Sequence, residues 1–115
     1  MNSTNLIGRL AGEVELRTTP TGKQVASFRL AVPRQRRAGA DRGAVFLTVQ
    51  AWETRAELAA RVLRKGDRVG VSGRLDQEEW ESTSGRRERV LVVAEELTFL
   101  EPRQVEDAPA DPEGE

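Results

Sequence analysis

A single stretch of this 115-residue chain has helical periodicity, and it lies between Trp52 and Gly66 with β-rich runs on both sides. Thr54-Arg55-Ala56-Glu57 fits a capping box, with Thr54 as N-cap and Glu57 reaching back to its backbone N–H. Ala56, Ala59, Ala60 and Leu63 follow at i, i+3, i+4 and i+7 and form a narrow apolar face. Arg64 and Lys65 suit the negative helix end, and Gly66 supplies a left-handed stop. Short β-rich runs occupy about 4–10, 14–19, 24–33, 44–52, 68–81 and 88–100. Turn signals such as Pro20-Thr21-Gly22 and the segment 38–43 separate them. One helix inserted after the middle of about five strands is the element order of a small closed β-barrel.

Composition removes whole classes of chemistry. With no Cys and no His, disulfides, thiol nucleophiles, Ser–His triads and Cys/His zinc sites are impossible. A small hydrolase working through Asp or Glu stays conceivable, but no acid pair has a recognisable acid–base arrangement. The expectation is therefore a binding protein with no catalytic residue, no metal site and no cofactor. Gly70 to Gly73 reads as barrel packing, not as a phosphate-binding loop. No apolar run approaches the ~18–20 residues of a membrane span, and Met1 does not open a signal peptide. The reading is a soluble cytoplasmic chain with no membrane partner. Hydrophobic residues make up 37%, with two Trp, three Phe and no Tyr, enough for one modest core.

The formal charge of −1 conceals an asymmetry. From Arg103 onward there are one basic and five acidic residues, so residues 1–102 hold 17 basic against 14 acidic groups, about +3. The chain divides into one folded domain, 1–102, and a short acidic tail, 103–115, expected to be disordered because it has almost nothing to bury.

The segment Val45–Trp52 is the most informative strand. Val45, Leu47, Val49 and Ala51 alternate on one face, which reads as the core face. Phe46, Thr48, Gln50 and Trp52 then occupy a solvent face with aromatics at both ends and polar residues between. Such rings either pack under a loop or a subunit contact, or they form a platform for nucleic-acid bases, every one of which has a π-face. A third aromatic, Trp80, stands among acids in 75–82 near the tip of a long hairpin turning at Ser84-Gly85. No core reaches it there, which marks it for a partner, either nucleic acid or another subunit.

From about Asn2 to Leu100 the chain resembles the bacterial single-stranded DNA-binding proteins, an OB-fold family. The resemblance rests on an ordered series: 6–10 (LIGRL), 15–17 (ELR), 20–22 (PTG), 25–31 (VASFRLA), 63–67 (LRKGD), 71–75 (VSGRL), then Trp80 before Ser84-Gly85. It implies a mainly β fold with one helix, a five-stranded Greek-key barrel bearing an extended β-hairpin arm. It implies that Phe46, Trp52 and Trp80 stack on single-stranded DNA bases, and that the chain serves replication, recombination or repair in the cytoplasm, on the bacterial nucleoid. It also implies a homotetramer, a dimer of dimers, since relatives commonly use the first strand at a subunit interface. Candidate phosphate contacts are Arg9, Arg29, Arg34, Arg36, Arg37, Lys65, Arg74 and Arg86, held as a group. The alternative is an OB-fold interaction module of a primosome-like assembly, whose aromatics contact protein instead.

The departures are specific. Arg36 stands where many relatives carry a fourth stacking Trp, and Val14 and Thr18 replace a common Pro and an aromatic. Before Trp80 the family often has basic residues, whereas this chain has Asp76, Glu78 and Glu79, which points to weaker binding along the arm. The tail ends 111–115 (DPEGE), without the Pro-Phe tip that relatives use to recruit replication and repair enzymes, so recruitment through the tail is not expected.

Overall fold

The computed structural model describes residues 1–34 and 43–102. Arg36, Arg37 and the tail 103–115 lie outside the described residues. In chain order the elements are β1 (Thr4–Leu10), β2 (Glu15–Thr18), β3 (Gln24–Pro33), β4 (Ala44–Trp52), α1 (Thr54–Val62), β5 (Arg68–Ser82) and β6 (Gly85–Glu101). The strands run in the order β1-β5-β6-β4-β3-β2, and a further β1–β3 pairing closes β1, β5, β6, β4 and β3 into a ring. β2 is an added strand on β3. β4 pairs with β6 in parallel, skipping β5, which gives the ring its Greek-key crossing. This is the OB-fold barrel of the sequence expectation, with α1 between the third and fourth strands of the ring.

Alternation explains the ring. Ala26, Phe28 and Leu30 of β3, Val49 and Ala51 of β4, and Val69 and Val71 of β5 turn inward and share one core cluster. Ala56, Ala59 and Leu63 join the same cluster, so α1 packs against the barrel interior. The β5–β6 hairpin runs beyond the barrel as an arm, paired without interruption from Gly73↔Ala94 to Ser82↔Gly85. Its turn is Thr83-Ser84, one residue earlier than expected, followed by Gly85 at φ +116°. No helix among the described residues is long and apolar enough to cross a membrane.

Three local expectations are corrected. Thr54 is the first helical residue, not the N-cap; Glu53 takes the cap position at φ 59°, ψ −123°, with no side-chain capping bond. The tight turn out of β4, where Glu53 N–H donates to the Gln24 carbonyl (2.8 Å), moves the helix start and leaves the capping box unused. Gly66 does have φ +92°, but α1 has ended by then, and its C-cap Leu63 is extended. Gly66 instead shapes the turn in which Asp67 N–H donates to the Arg64 carbonyl (3.0 Å), and its own N–H donates to the Leu10 carbonyl (2.8 Å). Val45, assigned to the core, is 45% exposed, because it lies near the start of β4, short of the Val49–Gln50 stretch that pairs with β6.

Candidate nucleic-acid interface

The outer surface of β3, β4, β6 and β5 is not an ordinary solvated face. Val25, Ala31, Leu91 and Val93 are buried, yet none belongs to the barrel's core cluster. The ladders place them outside: Val25 lies opposite Trp52, Ala31 opposite Phe46, Leu91 opposite Asp76, and Val93 opposite both Arg74 and Gln50. They form an apolar floor beneath a wide polar and aromatic surface.

β4 crosses the middle of that floor. Phe46 and Trp52, both half-buried, stand about 20 Å apart along it. Each faces a smaller neighbour on β3, Ala31 and Val25, so neither ring is roofed by its cross-strand partner. Trp52 is the last residue of β4, and the Glu53 turn sets the direction in which the chain leaves it.

Between the two rings, Thr48 and Gln50 are each only 5% exposed, against the expectation of a solvent face. Long side chains from neighbouring strands account for the difference. Arg29 and Arg89 both donate to Thr48 Oγ1, at 3.5 and 3.4 Å. Gln50 Nε2 donates to Glu78 Oε2 at 3.4 Å. The middle of the arm is thus tied to the centre of β4.

On the arm, Trp80 is 44% exposed and lies directly across from Arg87. The Arg89 guanidinium sits 5.9 Å from the Trp80 ring centroid, a cation–π distance, and its Nε donates to Glu78 Oε1 at 2.5 Å. Because residues alternate along each strand, Trp80, Glu78, Arg87 and Arg89 share the face that carries Phe46 and Trp52.

Of the phosphate candidates, Arg29 and Arg74 lie on this face, Arg74 held by Glu95 at 3.0 Å. Arg34 is exposed where β3 ends. Arg86 falls on the opposite side of the arm, paired with Glu79 and, at 3.8 Å, with Glu81. Arg9 is committed to the Gly66 carbonyl (3.0 Å) and Glu101 (3.5 Å), and Lys65 is exposed in the turn after α1. Arg87 and Arg89 were missed by sequence reasoning; counting alternation back from Leu91 and Val93 along β6 would have found them. Groups of acidic residues arranged to hold a metal ion are absent among the described residues.

Residues 1–100 match the Single-strand binding protein family. Single-stranded DNA-binding protein 1 of Staphylococcus aureus is 42% identical over 113 residues, covering 96% of this chain and 72% of that protein. Single-stranded DNA-binding protein 2 of Listeria innocua is 44% identical over 105 residues, with 90% and 66% covered. Single-stranded DNA-binding protein 3 of Clostridium acetobutylicum is 43% identical over 103 residues, with 88% and 72% covered.

Proposed function

The chain belongs to the single-strand binding protein family, and from that premise we propose that it binds single-stranded DNA across the outer face of β3, β4, β6 and β5. Phe46, Trp52 and Trp80 are the stacking residues of this reading. The observation that carries it is their presentation on one continuous face, over an apolar floor that the barrel core does not use. Stacking needs unpaired bases, and it tolerates sequence because every base offers a π-face. The work assigned to the protein is to hold and protect single strands during replication, recombination or repair in the cytoplasm. It is a binding role, and no residue is assigned to catalysis. Aromatics reserved for protein contact, the interaction-module alternative, are not favoured by the family to which the chain belongs.

Stacking contributes roughly 1–3 kcal/mol per base, so three rings give about 3–9 kcal/mol gross. A millimolar dissociation constant already needs about 4 kcal/mol. One subunit alone therefore binds weakly, and a homotetramer following one strand gains through effective concentration. Phosphate contacts from Arg29, Arg34, Arg36, Arg37, Arg74 and their neighbours add a salt-dependent share. The domain division at residue 102, with the tail taking no part in stacking, belongs to the same proposal.

Tryptophan fluorescence during titration with an oligo-dT strand tests the reading, with light scattering for mass in parallel. Strong quenching of Trp52 and Trp80 and a tetrameric mass are expected. Unchanged fluorescence at saturating oligonucleotide would remove the stacking proposal.

A further inference from the structure

Read along β5 alone, the arm looks hostile to a phosphate backbone, since Asp76, Glu78, Glu79 and Glu81 surround Trp80. The ladder changes that picture. Trp80 lies opposite Arg87, Glu78 opposite Arg89, Glu79 opposite Glu88, and Glu81 opposite Arg86. Alternation then sorts the charges between two faces. The Trp80 face carries Arg74, Arg87 and Arg89 against Asp76 and Glu78. The opposite face carries Arg86 against Glu79, Glu81 and Glu88. Counted with Glu95, which pairs with Arg74 at 3.0 Å, the Trp80 side of the arm is balanced, whereas the other side is net negative by two.

The two arginines beside Trp80 differ in how they are held. Arg87 donates to Ser84 Oγ at 2.6 Å and has no ion pair among the described residues. Arg89 is half-exposed; Nε is used on Glu78 and one terminal nitrogen on Thr48. A guanidinium has five N–H donors in a planar fork, so donors remain for a phosphate oxygen. Glu78, itself fixed by Gln50, holds Arg89 between the arm's ring and the middle of β4. A strand passing from Phe46 or Trp52 to Trp80 has to cross that point.

We infer that Arg87 and Arg89 are the arm's phosphate contacts, that Glu78 is a positioning carboxylate for Arg89, and that Arg86 takes no part. This deepens the proposed single-strand binding and rests on it. β6 thereby supplies the positive charge that β5 lacks, and the acids of β5 orient arginines or lie on the far face.

The test is the salt dependence of binding to an oligo-dT strand. Each phosphate contact on a single strand contributes about 0.7 to the slope of log affinity against log salt. Arg87→Gln and Arg89→Gln should each lower that slope by about 0.7, and the double variant by about 1.4. At 0.1 M salt this corresponds to roughly fivefold and 25-fold weaker binding relative to the high-salt limit. Arg86→Gln should leave the slope at the wild-type value. A thermal midpoint near wild type for each variant keeps the comparison one of binding. A double variant with the wild-type slope, or an Arg86→Gln slope that falls like the others, overturns the inference. Trp80→Ala separates the two levels. If wild type binds and Trp80→Ala weakens it while the arginine slopes do not move, only the arginine assignment fails. If Trp80→Ala has no effect, the path over the arm fails with it.

Discussion

The backbone of Val93 closes on Gly73 so tightly that a Cβ at Gly73 would stand 2.0 Å from the Val93 carbonyl oxygen. This contact lies where the β5–β6 ladder shifts register between Ser72 and Gly73, at the point where the arm leaves the barrel. Gly70, three residues earlier, has only ordinary contact at the same test, 3.6 Å to Thr98. Gly73→Ala should therefore cost about 2–3 kcal/mol of stability through forced backbone movement. Gly70→Ala should stay within about 0.5 kcal/mol. Thermal or urea unfolding of the two variants measures the contrast, and equal losses would contradict the packing described here.

Val49→Ala should separate stability from binding. Val49 is fully buried in the core on the inner side of β4, between the two positions that carry Thr48 and Gln50 outward. Removing two methyl groups there costs about 2 kcal/mol, which in a domain of this size lowers the midpoint by roughly 10 °C. Affinity for oligo-dT measured well below that midpoint should match wild type. A loss of affinity in the folded variant would mean that the two faces of β4 are not independent.

Glu53 offers a stability gain. A non-glycine residue at φ 59°, ψ −123° carries strain of order 1–3 kcal/mol. Glycine relieves it, less about 0.5–1 kcal/mol of added chain entropy. Glu53→Gly should raise stability by about 1 kcal/mol, read as a higher thermal midpoint. A lower midpoint would show that the Glu53 side chain contributes more than its backbone costs.

The architecture was largely legible because it follows from period and order. The single helical segment, the alternation of 44–52 and the long hairpin point to the ring, the arm and the three aromatics from the sequence alone. What escaped depends on which residues face each other across strands distant in sequence. Thr48 and Gln50 look solvated along β4; Arg29, Arg89 and Glu78, arriving from three other strands, cover them. The arm looks acidic along β5, and the two arginines beside Trp80 and Glu78 come into view only once β6 is paired with it. The capping box at Thr54 failed for a related reason, since the exit of β4 through Glu53 outranked a local signal worth about 1 kcal/mol.

Selectivity follows from geometry. Duplex DNA hides its base faces, so an oligo-dT strand should bind at least tenfold more tightly than a duplex of equal length at the same salt. Both affinities should fall as salt rises, because phosphate contacts release counterions. A competition titration measures the ratio, and equal affinities would leave the aromatic platform without a role.

The most direct measurement is the affinity of Trp52→Ala and Trp80→Ala for an oligo-dT strand, beside wild type and at one fixed salt concentration. One ring ends the barrel strand β4 and the other stands on the arm, with Thr48, Gln50, Glu78 and Arg89 bridging the interval. Each variant should fold as wild type and lose roughly 1–3 kcal/mol of binding, about five- to 150-fold in dissociation constant. Wild-type affinity in both variants would contradict the claim that single-stranded DNA is held on this face by stacking.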